Sequence, residues 1–411
     1  MNDETEAILF LRKHLTTSDG VRSLIKHLMQ KGQQNIHTPF SLCREMIGKL
    51  KEFTPLSNKK IAVLFNVEFV QVLIRDFGVC VDHVVMFADD EVEYEFCKLE
   101  YGMKGGVNLF QIDMEKSKEE KELYTREGKV IMKFDVVVMN PPYQDGERKG
   151  GGVCASNILW DKFVVVADKL LVENGFIAAV HPSLWRKPNS LIQKTILANQ
   201  LHYMEIHNEQ DGIRIFGAET RYDWYISEKT EPKNKTTVLD QDGKTVVIDL
   251  RNSVFIPNCQ LDMFQRLVAR EGEEKVEIIS DSSYHTQNTD RMSKERTEKF
   301  KHPCVYTVPK SGTPNLWWSS TAKRGHFGQP KLIYSTGRPI SVGFYVDDTG
   351  KYGITQFSSA IVESTTNLYS IQRALQSDRF REFCSAISIG KLEVNTHVIK
   401  LFRKDFWKEF I

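Results

Sequence analysis

Several features of secreted and membrane-inserted proteins are missing from the sequence. No apolar run approaches the roughly 20 residues that a membrane helix needs. The chain opens on Met1-Asn2-Asp3-Glu4 rather than on a basic and then apolar signal segment. Its seven cysteines are widely spaced, odd in number and without a Cys-x-x-Cys pair, which argues against a disulfide framework and a zinc site. We therefore expect a soluble cytoplasmic protein with reduced thiols, no membrane partner and no metal.

Glycine and proline are too scarce for a fibrous or low-complexity chain, at 25 and 13 of 411 residues. The glycines form no Gly-x-x-x-x-Gly-Lys-Ser/Thr phosphate loop, so nucleotide hydrolysis is not indicated. Apolar residues make up 41% and charged residues 27%, which is ordinary for globular proteins. The length suggests about two domains. A formal net charge of +1 argues neither for nor against nucleic acid as a partner.

Short apolar runs rich in β-branched residues begin after Lys59 and recur with room for a helix between them. The runs are Ile61–Phe65, Val84–Ala88, Val107–Ile112, Phe134–Met139 and Phe176–Val180. Runs of this length and spacing predict buried strands of a parallel sheet joined by helical crossovers, which is an α/β fold.

Helix signals and a change in the pattern of apolar runs divide the chain into three parts. Asp161–Leu171 predicts a crossover helix that stops at Asn174-Gly175. After about residue 230, short runs separated by Pro, Gly and polar spacers replace the α/β pattern. We expect a helical lead-in over 1–34, an α/β domain over 35–230 and a separate α+β domain over 231–411.

The tetrapeptide Asn140-Pro141-Pro142-Tyr143 directly follows the predicted strand Phe134–Met139. Ligands of such sheets bind beyond the carboxyl ends of the strands. Two prolines stiffen the chain and remove two N–H donors, so the carbonyl oxygens remain to accept from a planar –NH2 group. The side-chain oxygen of Asn140 adds an acceptor, and Tyr143 offers a flat face for a base. The structural alternative is a rigid turn with a buried tyrosine.

In this context the tetrapeptide resembles that of the amino-methylating DNA methyltransferases, in particular the adenine-N6 enzymes of restriction-modification systems. His37-Thr38-Pro39-Phe40 is similar to the family's Thr-Pro segment, and Gly175–Trp185 is similar to its next strand and Pro-Ser-x-Trp segment. The resemblance covers approximately residues 35 to 230. It implies a Rossmann-like S-adenosylmethionine-dependent methyltransferase sheet with a C-terminal α+β target-recognition domain.

The resemblance also implies catalysis by the tetrapeptide and a cofactor site enclosed by Thr38, Pro39 and Phe40. The turn after the first strand departs from the family, because Asn66-Val67-Glu68-Phe69 contains no glycine. Either Asn66 and Glu68 bind the cofactor through a different backbone, or the pocket is altered or lost.

Two acidic residues follow the next predicted strands. Asp89 stands where an acidic residue commonly accepts hydrogen bonds from ribose hydroxyls, and Asp113 stands where the family places a side chain near the adenine amino group. Taken singly, each is also explained as a surface carboxylate or a helix cap.

Two segments are candidates for contact with DNA. Residues 285–338 carry a net charge of +7 and contain Tyr306, Trp317, Trp318 and Phe327, a mixture that favours phosphates and accessible bases but also suits a solvated surface. The loop 144–156, with two cations and three consecutive glycines, could close over a flipped nucleotide or be an ordinary loop.

The function expected from the resemblance is methyl transfer to N6 of an adenine flipped out of double-stranded DNA, in the cytoplasm of a bacterial or phage-infected cell. A separate restriction endonuclease is a possible partner. Two alternatives remain open. One is a methyltransferase acting on the glutamine amide of proteins, which is also a planar –NH2 group. The other is a non-catalytic DNA-binding protein whose cofactor site has degenerated.

Overall fold

The computed structural model describes residues 38–143, 158–188, 190–336, 343–389 and 395–411. The chain divides into two compact units, Met1–Ser253 and Val254–Ile411. Among the described residues, no helix combines the length and apolar character that a membrane crossing requires.

The first unit contains nine strands of one mixed sheet within the described residues. They are β1 Ile61–Leu64, β2 Val84–Ala88, β3 Leu109–Gln111, β6 Phe134–Met139, β7 Leu171–Pro182, β8 Gln200–His207, β9 Tyr222–Glu228, β10 Thr236–Leu239 and β11 Thr245–Ile248, while β4 Tyr124–Thr125 and β5 Gly128–Lys129 form a small hairpin. The helices are α1 Phe40–Phe53, α2 Val67–Gln71, α3 Glu91–Tyr101, α4 Met114–Glu120, α5 Trp160–Leu170, α6 Leu191–Leu197 and α7 Glu209–Phe216. A π-helical turn, Val72–Asp76, continues α2.

The strand order of this sheet is β11-β10-β8-β9-β7-β6-β1-β2-β3. Strands β3, β2, β1, β6 and β7 are parallel, and β9 lies antiparallel between β7 and β8. The predicted α/β sheet of the Rossmann-like methyltransferase type is therefore confirmed. Its order reverses between β1 and β6, where chain connections leave in opposite directions, and such a switch point opens a crevice for ligands.

The strands are buried because continuous apolar runs in a parallel sheet are covered by helices on both faces. On one face, Val63, Val136 and Val138 pack in a core with side chains of α1, α2 and α3. On the other, Phe163 of α5 meets the ring of Phe65 edge-on at 4.8 Å.

Strand β7 begins earlier than the sequence suggested. The predicted stop at Asn174-Gly175 is wrong: helix α5 ends at Leu170, and both residues lie inside β7. Asn174 has a positive φ of 60°, and the pairing with β6 shifts register between Phe134 and Val136. The dipeptide thus makes an irregularity within a strand instead of a helix terminus.

The second unit combines helices with two four-stranded sheets among its described residues. Its strands are β12 Glu277–Ser280, β13 Met292–Ser293, β14 His302–Thr307, β15 Asn315–Ser319, β16 Lys331–Ser335, β17 Phe344–Asp347, β18 Gly353–Ile354 and β19 Ser358–Val362. Its helices are α8 Leu261–Leu267, α9 Thr365–Gln376, α10 Asp378–Ala386, α11 Thr396–Ile399 and the 3-10 turn Phe406–Phe410. One sheet has the order β12-β19-β16-β17 and the other β13-β15-β14-β18. Strands β10 and β11 follow residue 231, where a boundary was expected, and belong to the sheet of the first unit.

Candidate active site at the switch point

The tetrapeptide Asn140–Tyr143 leaves the carboxyl end of β6 at the switch point of the sheet. Leu64 of β1 pairs with Met139 of β6, so the residues that follow these strands flank the same crevice. On one side lies the turn at Phe65 and Asn66, and on the other lies Asn140. The two sequence segments expected to serve cofactor and substrate are therefore adjacent in the fold.

The side chain of Asn140 is held by the Thr-Pro segment. Its Nδ2 donates a hydrogen bond of 3.0 Å to Oγ1 of Thr38, across 102 positions of sequence. Thr38 is fully buried and Asn140 is 3% exposed. Because the amide nitrogen points toward Thr38, the Oδ1 atom on the other side of the amide points away from it.

Pro39 and Phe40, the remaining residues of the Thr-Pro segment, directly follow Thr38. Pro39 stands just before α1 as its N-cap, and Phe40 is the first, half-buried residue of that helix. Through these two residues Thr38 is joined to α1, which packs against the sheet, so a rigid element supports Thr38.

The corner formed by the tetrapeptide is more enclosed than a solvent-facing rim. Pro141 is buried, whereas Pro142 and Tyr143 are half-buried and form its accessible part. The hydroxyl of Tyr143 is buried and makes no hydrogen bond with the described residues. Burial, with smaller contributions from Tyr222 and Asp223, raises the pKa of Tyr143 far above its ordinary value, so the ring is a neutral phenol.

A buried carboxylate fixes the segment that follows β7. Asp223 of β9 accepts hydrogen bonds of 2.8 Å from Ser183 Oγ, Trp185 Nε1 and Arg186 Nε. Arg186 and Asp223 both have fully buried side chains. The Pro-Ser-x-Trp segment is thus tied to the neighbouring strand.

Aromatic rings pack against one another near the Pro-Ser-x-Trp segment. His181 stacks on Trp160 with ring centroids 4.7 Å apart, and burial lowers the pKa of His181 to about 4, so its imidazole is neutral at pH 7. Tyr222 stacks on His207 at 4.4 Å and meets Phe216 edge-on at 4.9 Å.

The turn after β1 replaces glycine by two residues in the left-handed region. Phe65 has φ 65° and Asn66 has φ 50°. Asparagine tolerates this conformation better than most residues, whereas phenylalanine there is strained and is held by its surroundings. Asn66 is 4% exposed, and its Oδ1 has no hydrogen-bond partner in the described part of the chain. Glu68 is buried in the first turn of α2.

The acidic residues after β2 and β3 have defined local roles. Asp90 caps α3 by accepting from the Glu93 amide at 2.8 Å, and the preceding Asp89 is half-buried. Asp113 caps α4 by accepting from the Lys116 amide at 3.1 Å, as the helix-cap alternative predicted. A cofactor role for Asp89 and Asp113 stays a prediction.

Glu93 was not anticipated as a site residue. It is 6% exposed and reaches from α3 to the start of α2, where its Oε1 accepts from the Val67 amide at 3.3 Å. The spacing Asp90-x-x-Glu93 is a capping-box pattern, which by itself indicates only the start of a helix.

Buried acceptors at this edge match the demands of the implied cofactor. Asn66 Oδ1, Glu93 Oε2 and Gln111 Oε1 follow or end the first three strands, and none has a hydrogen-bond partner among the described residues. A buried polar atom without a partner is costly, so these oxygens call for a ligand rich in donors. S-adenosylmethionine carries hydroxyl, amino and ammonium groups, and the residues present fit it.

Four elements singled out in the sequence fall outside the described residues. These are the helical lead-in over 1–34, His37, the loop 144–156 and Arg338 at the end of the basic segment.

Comparison with known proteins finds a family model that is similar to part of the first unit. Residues 68–216 match the Eco57I restriction-modification methylase family. The Eco57I match runs from α2 to the end of α7, so it contains the acidic residues after β2 and β3, the tetrapeptide and the Pro-Ser-x-Trp segment. The resemblance to restriction-modification methylases that these residues indicated is confirmed.

Individual relatives are distant. A protein of Mycoplasma pneumoniae described as an uncharacterized adenine-specific methylase is 23% identical over 190 residues, which is 42% of this chain and 43% of that protein. The match thus spans less than half of that relative. Among solved structures, a type I restriction-modification methyltransferase subunit of Streptococcus thermophilus is 15% identical, with 57% of this chain and 56% of that chain covered and a TM-score of 0.41. The type IIG restriction endonuclease BpuSI is 10% identical, with 96% and 63% covered and a TM-score of 0.44.

Proposed function

We propose that the protein is a site-specific DNA methyltransferase that transfers a methyl group from S-adenosylmethionine to N6 of an adenine. The observation that carries this proposal is the 3.0 Å bond from Asn140 Nδ2 to Thr38 Oγ1 at the switch point of the sheet. It joins the segment implied for the cofactor to the side chain implied for the substrate. The Eco57I family match supports the same activity.

The substrate base has to leave the duplex first, because N6 of a stacked adenine cannot reach a protein pocket. Extrusion of a base costs a few kcal/mol. The half-buried ring of Tyr143 offers a stacking surface beside the tetrapeptide. Stacking on an aromatic side chain contributes about 1–3 kcal/mol per base, which offsets much of the extrusion.

Asn140 and Pro141 then orient the amine. Asn140 Oδ1 and the Pro141 carbonyl oxygen each accept one hydrogen from the –NH2 group, which directs the nitrogen lone pair away from both. Prolines at 141 and 142 offer no competing N–H donor. Thr38 holds the Asn140 amide in the required orientation, so catalysis rests on positioning and electrostatic matching.

The cofactor would be held at the edge formed by β1, β2 and β3. The candidate residues are those implied by the sequence, to which the structure adds Glu93 and Gln111: Thr38, Pro39, Phe40, Asn66, Glu68, Asp89, Asp113, Glu93 and Gln111. When bound, S-adenosylmethionine supplies a methyl group made electrophilic by its sulfonium.

The second unit is proposed to contact double-stranded DNA through its basic segment. Eight exposed cations there form no ion pair with any carboxylate of the described residues; they are Arg291, Lys294, Arg296, Lys299, Lys301, Lys310, Lys323 and Arg324. The ring centroid of Tyr306 lies 5.8 Å from that of Trp317 and 5.1 Å from that of Phe357, a residue that is 39% exposed. Unpaired cations around accessible rings suit a phosphate backbone with bases nearby. On the family match alone, we also propose a separate restriction endonuclease as a functional partner.

The test compares methylation by the wild-type protein and by Asn140→Ala, with Asn199→Ala as a matched control. Asn199 binds Asp168 at 2.7 Å, remote in sequence from the tetrapeptide. We expect N6-methyladenine in DNA from cells that express the wild type or the control, and none with Asn140→Ala. Calorimetry should find S-adenosylmethionine binding nearly unchanged in Asn140→Ala.

Other outcomes would support the alternatives. Methyl transfer to a glutamine amide of a protein, with none to DNA, would replace the proposed substrate. Absence of cofactor binding at millimolar concentration would favour the non-catalytic DNA-binding protein, for which the strained, glycine-free turn at Phe65 and Asn66 is the structural motive.

A further inference from the structure

The segment that contains the end of β7 and helix α6 is basic and free of acidic residues. From residue 174 to residue 204 the sequence has no aspartate or glutamate, whereas it has Arg186, Lys187 and Lys194. Arg186 is buried against Asp223. Lys187 and Lys194 are exposed and form no ion pair with a carboxylate of the described residues. These two lysines are therefore available to bind an anionic partner.

The 3-10 turn after β7 holds one apolar side chain in solvent. Three of its residues, Ser183, Trp185 and Arg186, are at most 1% exposed. Each of them donates a hydrogen bond of 2.8 Å to the carboxylate of Asp223. Leu184 lies between them and is 40% exposed. A single exposed leucine is ordinary on a protein surface, but here its neighbours on both sides are fixed by one buried carboxylate, so the turn is a rigid support for it.

This turn lies at the same edge of the sheet as the tetrapeptide. Met139 of β6 pairs with Ala179 of the parallel strand β7, so the residues that follow the two strands leave the sheet together. Burial is the main cause of the raised pKa of Tyr143, and the charge of Asp223 adds to it, so the carboxylate that holds the turn is near the tyrosine. Leu184 therefore lies next to the corner at which the proposed substrate base is held.

Helix α6 extends the same surface. The amide of Ser190 donates to the carbonyl oxygen of Lys187 at 3.3 Å, and Nε2 of Gln193 donates to that of Arg186 at 3.2 Å. These bonds join the turn to the helix. Leu191, the first residue of α6, is 75% exposed. The exposed side chains of this surface are thus two leucines and two lysines: Leu184, Lys187, Leu191 and Lys194.

Double-stranded DNA is the partner whose chemistry fits both kinds of side chain. Lysines bind the phosphates of the backbone. Proteins that distort a duplex insert apolar side chains such as leucine between base steps, where the opened faces of the bases are apolar. An acidic protein surface would engage the lysines alone, without a use for a leucine held next to the tetrapeptide.

We propose that Leu184 is an apolar wedge that enters the duplex beside the target adenine and keeps that base extruded, while Lys187 and Lys194 contact the flanking phosphates. The inference rests on the proposed function and adds a positioning residue to it. An extruded base leaves a gap in the stack, and a leucine in this gap keeps apolar surface out of water. Because the turn is rigid before binding, little ordering of Leu184 opposes the insertion.

The first experiment measures extrusion without methyl transfer. It uses a duplex of the sequence that the wild type methylates in cells, with the fluorescent adenine analogue 2-aminopurine at the target position. The analogue brightens when it leaves the stack. With saturating full-length protein we expect Leu184→Ala to lower the fluorescence rise by at least about half relative to the wild type. Leu99→Ala is the matched control and should give the wild-type signal, because Leu99 is 44% exposed near the end of α3 that leads to the opposite edge of the sheet.

The second experiment separates a wedge from a residue that only supports the fold. A mispaired adenine leaves the stack at lower cost, so a wedge matters less for it. On the paired duplex we expect kcat/KM of Leu184→Ala to fall about tenfold to a hundredfold, and on a duplex with a mispaired target to stay within about threefold of the wild type. Leu184→Met keeps an apolar side chain of similar volume and should retain most of the activity on both duplexes.

The third experiment tests the phosphate contact. Lys187→Gln should reduce the slope of log K against log salt for binding of the paired duplex by about 1. Lys104→Gln is the control, because Lys104 is also exposed but follows α3 at the opposite edge of the sheet. Its slope should equal that of the wild type.

Extrusion and kcat/KM that remain at wild-type values in Leu184→Ala would overturn the inference and leave the proposed function standing. An equal loss on the paired and mispaired duplexes would also overturn it, because Leu184 would then only support the fold. An unchanged salt slope in Lys187→Gln would remove the phosphate contact. A wild type that methylates an acidic protein and no DNA would instead remove the proposed function, and the inference with it.

Discussion

Replacing Asp223 by asparagine tests the buried network behind the tetrapeptide. The carboxylate accepts three hydrogen bonds of 2.8 Å, from a hydroxyl, an indole and a guanidinium. Asparagine keeps the shape but removes the charge and turns one acceptor into a donor. Arg186, with a fully buried side chain, then loses its carboxylate. Breaking one partner of a buried pair costs about 3–5 kcal/mol.

The expected result is a large loss of stability in the first unit. For a domain of this size, 1 kcal/mol corresponds to about 2–4 °C in Tm, so Asp223→Asn should lower the first unit's transition by roughly 6–20 °C. Differential scanning calorimetry of the full chain measures it, because the two compact units allow separate transitions.

A surface pair provides the control. Arg44 and Asp76 lie 2.6 Å apart with side chains 54% and 34% exposed. The same chemical change, Asp76→Asn, should cost less than about 1 kcal/mol, because solvent screens exposed pairs. If both variants unfold within 1–2 °C of the wild type, the three bonds to Asp223 do not stabilise the fold as argued.

Three further predictions concern the site, the buried histidine and the basic segment. Thr38→Val removes the acceptor for Asn140 Nδ2 at nearly constant volume. We expect its kcat to fall roughly tenfold to a hundredfold, because misplacement of a reacting group costs about this much, whereas Thr38→Ser should keep most of the activity. A valine variant with unchanged kcat would refute the positioning role of Thr38. His181 has a pKa of about 4 in the folded chain, below its unfolded value, so the unfolded state binds more protons between about pH 6.5 and 4. As the pH is lowered through this range, the free energy of unfolding should therefore fall by up to about 3 kcal/mol. Urea unfolding across this range measures the loss, which His181→Phe should flatten; an equally steep loss in that variant would contradict the assignment. Arg296→Gln should reduce the slope of log K against log salt for DNA binding by about 1, whereas Arg381→Gln, already paired with Asp378, should leave it unchanged. Equal slopes in all three proteins would move the DNA contact elsewhere.

The sequence was most informative where local pattern and burial agree. Phe134–Met139 is apolar apart from Asp135 near its start, and it forms β6 with the predicted bounds because a strand buried on both faces needs no polar alternation. The position of Asn140 at a strand end followed directly. The reversal of strand order beside it did not, since neighbours in a sheet are chosen by packing across the whole domain.

The parts that the sequence did not predict depend on distant contacts. Asn174-Gly175 has the composition of a helix stop, yet pairing with β6 and β9 draws it into β7. Glu93 has the spacing of a capping residue, and only the approach of α2 gives it a second role. Asp223 lies in a strand between Tyr222 and Trp224, where nothing local shows that three donors from residues 183–186 converge on it.

The hydrogen bond between Thr38 and Asn140 can form only late in translation, because its two residues leave the ribosome 102 residues apart. Thr38 is therefore translated before its partner, and the six strands β1 to β6 are synthesised in between. A nascent chain halted before β9 would also lack the carboxylate that secures residues 183–186. For the proposed methyltransferase we therefore expect activity only from chains that extend past β9, and shorter chains should be inert.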